Sequence, residues 1–477
     1  MGVASRTPHV ILAVIVVAAA VRVLTAATLP LYSDEAYYWV WAQHLDWGYR
    51  DHPPMVAYIA YLTTLAGHGE LILRTPALLL GLATSYALFL LGRDLFDAQV
   101  GLIAAALFQL QPLLWVTGGL LMLPDAPLLL AWTVALRLIW KGLHGQFDTW
   151  MAAGLTVGLG LLSKLTMIWL VVGVAVFLIT SARLWLRRRE PYAAAALALA
   201  CLIPVFGWNA AHGWAGVKFL ALGRQHVTTV EQLAHLPLGL PGIKFFLESY
   251  VPLSGALLPV FVWAMWAAWR RRHDERFRYL LWTALPTIAI SVVLAPAGAA
   301  RGHWMAPAHL GLAVVVAALW RRVVGWAMLG NGLVGLALLA SHLIPALPPE
   351  PLTPFFYGFA ELSERVEREV AALGPGTFFV SNGSDVAATV AYYSRGKVPV
   401  TFLPYAVGSV WASPNEIRGV AVAVTSAWAA SPWKSCFGRV DPVAPFVYQY
   451  RGRVIQRFEV LHVSGLLPRC LPAPAAR

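Results

Sequence analysis

The stretch 31-LYSDEAYYWVWAQHLDWGYRDHPPM-55 places Asp34, Glu35, Asp51 and His52 directly after an apolar run that ends at Pro30. Six aromatic side chains lie between Asp34 and His52. Either of the first two carboxylates can serve as a general base that deprotonates an acceptor hydroxyl or amine. The same acids can instead cap the helix that starts there, because Asp is a favoured N-cap. Asp51 and His52 precede Pro53-Pro54, a stiff turn that leads into another helix. They offer a cap, a phosphate-orienting pair or ligands to a divalent metal. One acid and one His do not complete a metal site, so the metal reading is the weaker one, and a divalent metal stays open as a cofactor.

Further along, Asp125 sits in Leu-Pro-Asp-Ala-Pro at a helix entrance, where it can cap the helix or join a site. Lys164 interrupts an apolar run; it can snorkel to the interface or meet a lipid phosphate. Arg301 and His303, beside Trp304, are similar candidates. Acids beside bases suggest proton transfer at one end of a site and anion binding at the other. Arg22 lies deep in the first apolar run, as an internal ion-pair or packing element. Asn209 and His212 read as hydrogen-bonders within a bundle.

The elements that must position these groups are mostly membrane helices. The chain has 477 residues, 59% hydrophobic and 12% charged, with mean hydropathy +0.66. Soluble domains carry roughly 25% charged residues. Many apolar runs near 20 residues indicate a polytopic α-helical membrane protein, not an alternating-strand barrel. Eleven spans are expected, with thirteen as an upper count: 9–29, 71–91, 98–117, 126–140, 149–162, 166–182, 192–211, 250–269, 279–297, 304–320 and 323–344. The run 149–182 would be about 50 Å long as one helix, against a bilayer core of about 30 Å. It is therefore expected to split at Ser163-Lys164. Residues 9–29 read as an uncleaved first span, because so many spans follow.

The net charge of +12 is concentrated in clusters such as 183-RLWLRRRE-190 and 270-RRRHDERFR-278. These fit cytoplasmic loops better than nucleic-acid contacts. One orientation puts every basic cluster inside and all the candidate residues on the opposite surface. The aromatic residues of the 30–70 loop then suit the headgroup level. The bundle is expected to span 1–345. After the Pro-rich stretch 345-PALPPEPLTP-354, residues 346–477 are expected to form an extracytoplasmic soluble α/β domain. Its helices fall at 356–373 and 385–395, and its strands at 377–382, 398–403, 419–426 and 453–463. Cys436 and Cys470 could pair there, outside the reducing cytoplasm.

Six segments in order resemble bacterial integral-membrane glycosyltransferases of the GT-C superfamily: 30-PLYSDEAYYWVW-41, 49-YRDHPPMVAY-58, 121-LMLPDAPLLLAWTVAL-136, 158-GLGLLSKLTMIW-169, 204-PVFGWN-209 and 302-GHWMAPAHLGL-312. More narrowly, they resemble the group of protein O-mannosyltransferases and lipid A aminoarabinose transferases. The C-terminal part matches loosely, through 386-VAATVAYYSRGKVPV-400. The resemblance implies a GT-C-like fold in the bacterial inner membrane. It also implies a single inverting transfer from a polyprenyl-phosphate-sugar to a lipid, glycan or protein acceptor of the envelope, such as lipopolysaccharide. Asp34 is then the base. Asp125 joins it as a catalytic residue by positioning base or acceptor. Glu35, Asp51, His52, Lys164, Arg301 and His303 are the expected substrate contacts. At Asp51-His52 the aminoarabinose transferases resemble Glu-Lys, so this chain departs from them there.

The main alternative acceptor is a Ser or Thr of an exported protein. In another class, a polyprenyl-lipid flippase or transporter would line its path with Arg22 and Lys164. In a third, the protein is a non-catalytic scaffold. Clustering of the acids on one surface favours the enzyme over a transporter with a midplane site.

Overall fold

The computed structural model describes residues 7–221, 239–320, 330, 332–333, 355–381, 383–402, 420–426 and 432–467. The expected span 323–344 and the Pro-rich boundary lie almost wholly outside these residues, and Cys470 lies outside them. The first helix, α1 (Thr7–Thr28), is apolar and stops before Pro30. A short pair follows: α2 (Ser33–Gln43) and α3 (Met55–Thr64). Next come α4 (Glu70–Leu95), α5 (Ala98–Leu110), α6 (Pro112–Gly119), α7 (Asp125–Leu143), α8 (Thr149–Ser163) and α9 (Ile168–Ser181). The body continues with α10 (Glu190–Ala200), α11 (Ile203–Ala211), α12 (Ala215–Ala221), α13 (Leu240–Ser254), α14 (Leu258–Arg270), α15 (Glu275–Leu294) and α16 (Ala306–Leu319).

Among the described residues, six helices are long and apolar enough to cross a membrane, or eight if two bent pairs each count as one span. The bends correct two expected straight spans. At 98–119 the chain turns by 80°, because Pro112 lacks an N–H and disfavours helical Gln111. At 240–270 it turns by 94°, around Gly255 at φ +59°, a left-handed value that glycine tolerates. The helices at 149–163 and 165–181 are shorter apolar pieces. They separate at Ser163, with Lys164 extended, as the length argument requires.

Small residues let the helices approach closely. A Cβ on Gly92 of α4 would lie 2.6 Å from the Gly101 Cα of α5. Arg22 is buried between the rings of Phe108 and Trp115, 5.9 and 5.7 Å from their centroids. It is a packing element held by cation–π contact, since no acid pairs with it among the described residues. Asn209 accepts the Gly216 and Val217 N–H groups (3.1 and 3.2 Å) and so caps the start of α12.

The C-terminal domain begins with α17 (Phe359–Leu373), β1 (Phe378–Ser381), α18 (Ser384–Tyr393) and β2 (Val400–Phe402). Strands β3 (Ala421–Ser426), β4 (Phe437–Pro442), β5 (Phe446–Tyr450) and β6 (Arg453–Leu466) complete it. The sheet order is β2-β1-β3-β6-β4, with β5 also on β6; β1 pairs in parallel with β2 and β3, and the rest are antiparallel. The expected helices and strands form, while β4 and β5 are additions. The β5–β6 hairpin turns at Arg451-Gly452, both at positive φ (+53° and +74°), the geometry of a tight primed turn. One face of the sheet packs on α17 and α18 through Phe359, Leu362, Val386 and Val390. Cys436 is disulfide-bonded and Cys201 is not.

Helix α18 docks on α2. The Leu31 N–H donates to the Tyr393 hydroxyl (3.0 Å), and Tyr392 meets Trp39 edge-on with ring centroids 5.3 Å apart. Ala388 and Tyr392 share one buried cluster with Tyr37, Tyr38, Trp41 and Val56. This corrects the expected headgroup belt. Tyr37, Tyr38, Trp41 and Tyr49 are interior, with Trp41 stacked on Tyr49 at 4.1 Å, and Trp47 is exposed. Rings of this size stabilise a small loop more by burying area against each other than by facing lipid.

Candidate active site

The architecture brings five separate stretches of chain to one cavity of about 390 Å³. Asp34 comes from α2, and Arg50, Asp51 and His52 from the turn before α3. Phe219 comes from α12, Arg301 and Trp304 from the segment before α16, and Ser384 and Asp385 from the start of α18. The expected residues Asp34, Asp51, His52 and Arg301 therefore converge. His303 shares the turn with Arg301 and Trp304, but those two make the wall.

Glu35 is corrected from a substrate contact to a buried anchor. It is fully buried and paired with Arg74 of α4. Arg74 Nη2 donates to its Oε2 at 2.6 Å, Arg74 Nε donates to both carboxylate oxygens at 3.0 and 3.1 Å, and the N–H groups of Tyr32 and Met122 add bonds of 3.0 Å each. The Tyr32 bond is the reach-back half of a helix cap. Arg74 also donates to the carbonyls of Ala26 (3.0 Å), Leu29 (2.6 Å) and Pro30 (2.7 Å), which α1 leaves unpaired at its end. A cation suits that negative helix terminus. Adjacent residues on a helix point apart, so α2 can turn only one of its two acids to the cavity.

Asp34 is that acid. Its side chain is exposed on the cavity wall although protein surrounds it. Burial, then the negative charges of Asp385, Asp51 and Glu35, push its carboxyl from an ordinary 3.8 up to about 7, against an opposing pull from Lys164. Asp51 accepts from the Tyr37 hydroxyl (2.6 Å) and from Arg50 Nε (2.8 Å). Burial and the Asp51 charge raise the Tyr37 phenol well above its ordinary range, so it keeps the proton that it donates. Both cavity arginines rest on rings: Arg50 over Phe219 at 4.6 Å and Arg301 over Phe245 at 4.5 Å.

Asp125 and Lys164 lie off the cavity wall and pair with each other. Lys164 Nζ donates to both oxygens of Asp125, at 2.9 and 2.8 Å, and both side chains are buried. The helix break at Ser163 turns the amine inward, where an ammonium needs a carboxylate, and the first turn of α7 supplies one. Among the described residues no three His, Cys, Asp or Glu side chains come together in an arrangement that could hold a metal. Among the described residues Asp51 and His52 thus have no third ligand beside them, and Asp51 is engaged by Arg50 and Tyr37.

A second, apolar cavity of about 70 Å³ adjoins the first. Arg50, Asp51 and His52 line both, and Leu165, Leu202, Val205 and Phe206 line the second. The site thus suits an amphiphile with an anionic group at the junction. Sequence reasoning missed Arg50, although it stands beside Asp51 in the quoted motif. It missed Arg74 because an arginine within a span carries no partner label. It missed Ser384 and Asp385 because the loosely matching C-terminal stretch begins just after them, at 386.

The opposite ends of the same helices carry a basic cluster. Asp94, near the end of α4, pairs with Arg137 (2.7 Å), Arg93 (3.2 Å) and Lys141 (3.8 Å).

The fold is similar to that of ArnT from Cupriavidus metallidurans. In the apo state that structure aligns with TM-score 0.64 at 16% identity, covering 94% of this chain and 97% of that one. The same protein bound to undecaprenyl phosphate aligns with TM-score 0.59 at 15% identity, covering 97% and 99%. Residues 51–208 match the family described as dolichyl-phosphate-mannose-protein mannosyltransferase. A polytopic helical body and a strand-containing C-terminal domain thus give this chain the same overall fold as the ArnT structures. In sequence the chain is 27% identical over 382 residues to lipid A galacturonosyltransferase RgtD of Rhizobium johnstonii, across 76% of this chain and 77% of that protein.

Proposed function

We propose that this chain is an inverting glycosyltransferase that moves a sugar from a polyprenyl-phosphate carrier to lipid A or a related envelope lipid or glycan. The observation that carries the reading is the composition of the cavity. A carboxylate tuned near neutrality shares it with Arg50, His52 and Arg301, and the cationic turn borders an apolar groove. The acceptor oxygen attacks the sugar's anomeric carbon while the bond from that carbon to the phosphate oxygen breaks. Asp34 takes the acceptor's proton, and the polyprenyl phosphate leaves with the bonding electrons. A base whose pKa lies near working pH suits proton removal. Arg50 and Arg301 stabilise charge as it develops on the leaving phosphate. The charge of Lys164, which is buried against Asp125, favours the ionised form of Asp34.

The names of RgtD and of undecaprenyl-phosphate-bound ArnT support this class of acceptor and donor. The chain sits in the inner membrane. We place the cavity and the C-terminal domain on its outer side, because the Arg93, Arg137 and Lys141 cluster belongs inside. Residues 1–345 form the catalytic bundle and 346–477 the outer domain.

Purified protein in nanodiscs, given undecaprenyl-phosphate-linked galacturonic acid and lipid A, should release undecaprenyl phosphate and form glycosylated lipid A. Mass spectrometry reads both products. Sugar on Ser or Thr of an exported protein, with lipid A unchanged, would replace this reading with protein O-glycosylation, the activity that the matching family's description suggests. Movement of the carrier across liposomes without release of its phosphate would make the protein a flippase.

A further inference from the structure

The cavity wall is built by two domains of different charge. Among the described residues its basic side chains, Arg50, His52 and Arg301, all come from the helical body, beside Asp34 and Asp51. Among the described residues the C-terminal domain brings Ser384 and Asp385, a hydroxyl and a carboxylate. An anionic donor head is drawn to the first side and repelled by the second. What remains for the second side is the other substrate.

We propose that Asp385, assisted by Ser384, is an acceptor-specificity residue: its carboxylate receives hydroxyl groups of the acceptor saccharide next to the hydroxyl that Asp34 deprotonates. This deepens the proposed function and rests on it. A carboxylate offers two oxygens and about four lone pairs, so it can accept from two neighbouring sugar hydroxyls at once. Such charge-assisted bonds are roughly twice as strong as neutral ones. Trp304 and Tyr38, on the same wall, supply flat apolar surface for a sugar face.

The placement is rigid. Asp385 lies in the first turn of α18, whose other end is fixed to the helical body. Tyr393 receives the Leu31 N–H there, and Tyr392 stacks on His68 with ring centroids 4.4 Å apart. Helix α18 is therefore a bracket between α2 and the sheet, and it holds Asp385 in one cavity with Asp34. Among the charged neighbours of Asp34, which are Asp385, Asp51, Glu35 and Lys164, Asp385 acts most strongly. The backbone N–H of Val386 also reaches the Asp385 carboxylate. A purely structural role as a helix cap is thus the alternative to be separated.

The test uses full-length protein in nanodiscs. Binding of lipid A and of undecaprenyl phosphate is measured separately, followed by turnover with undecaprenyl-phosphate-linked galacturonic acid. Asp385→Asn keeps the size and much of the capping capacity of the side chain. It should weaken lipid A binding and raise the acceptor KM by roughly tenfold to a hundredfold, the worth of a charged hydrogen bond. Undecaprenyl phosphate binding and the donor KM should stay unchanged. Ser384→Ala should move the same quantities in the same direction by less. Removing the Asp385 charge should also lower the pH at which the rate is half-maximal, which a cap alone would not do. Equal lipid A binding by wild type and Asp385→Asn overturns this assignment and leaves the proposed function standing. So does a rise confined to the donor KM. Wild-type protein that does not bind lipid A overturns the acceptor class itself, and this contact with it.

Discussion

Asp34 and Glu35 are neighbours in sequence, of nearly the same chemistry, and the fold gives them opposite roles. Glu35 is fully buried, ion-paired to Arg74 and hydrogen-bonded by two backbone N–H groups. Asp34 faces the cavity with two further carboxylates nearby and a carboxyl raised to about 7. The Asp125–Lys164 pair repeats the first pattern one layer deeper. An acid with its counter-charge in place is an anchor, whereas an acid among other acids is the one the proposed function makes the base. Scarcity of charge makes the contrast sharp: with 12% charged residues, each acid inside the bundle needs a partner or a function.

The comparison is tested most severely at Asp34. Asp34→Asn should cut transfer about 10²- to 10⁴-fold, the usual worth of a general base. It should leave thermal stability equal or higher, because a crowded carboxylate is removed. A folded variant with full transfer rate would end the assignment. The anchor should show the reverse. Arg74→Met or Glu35→Gln should destabilise the protein by about 3–5 kcal/mol, since each strands a buried partner. Thermal unfolding in detergent reads this loss, and activity per folded molecule should fall far less than in Asp34→Asn.

A smaller effect belongs to the cations. Arg50→Ala or Arg301→Ala should raise the donor KM roughly tenfold, or about 1.4 kcal/mol, with little change in the acceptor KM. Initial rates at varied donor concentration decide it.

The mildest test is pH. The base must be ionised, so the rate should rise with pH and level off above about 7; that limb should vanish in Asp34→Asn. The stability contribution of this group has the opposite sign. Between its ordinary 3.8 and about 7 the native carboxyl keeps a proton that the unfolded chain has lost. Stability from this group therefore falls as pH rises through that window. Unfolding midpoints of wild type and Asp34→Asn should converge near pH 4 and separate by pH 8.

Much of this was legible in the residue order. Apolar runs located the helices, and the run at 149–182 was too long for one span, which placed its break at Ser163-Lys164 before any coordinates. Hydrophobic periodicity found α17 and α18 and four of the strands. The bends after Leu110 and near Gly255 were less legible, because hydropathy is blind to direction. Strands β4 and β5 were missed. Their burial is irregular, with Gly438 and Pro442 in β4, so no clean alternation marks them. The aromatic loop was misread for a related reason: composition alone cannot tell rings facing lipid from rings facing one another.

By itself, then, the amino-acid order determined a helical membrane protein, the approximate place of its apolar helices, a strand-containing C-terminal domain and a short roster of polar residues. Short-range hydrophobicity and charge suffice for that, since bilayer insertion is decided segment by segment. Which acid faces the cavity and which one is paired and buried was decided by tertiary structure. That choice depends on Arg74 reaching Glu35 across 39 positions, on Lys164 meeting Asp125 across another 39, and on a helix near residue 385 arriving beside residue 34. Charges interact through space rather than along the chain, so only the folded arrangement could assign each acid its partner.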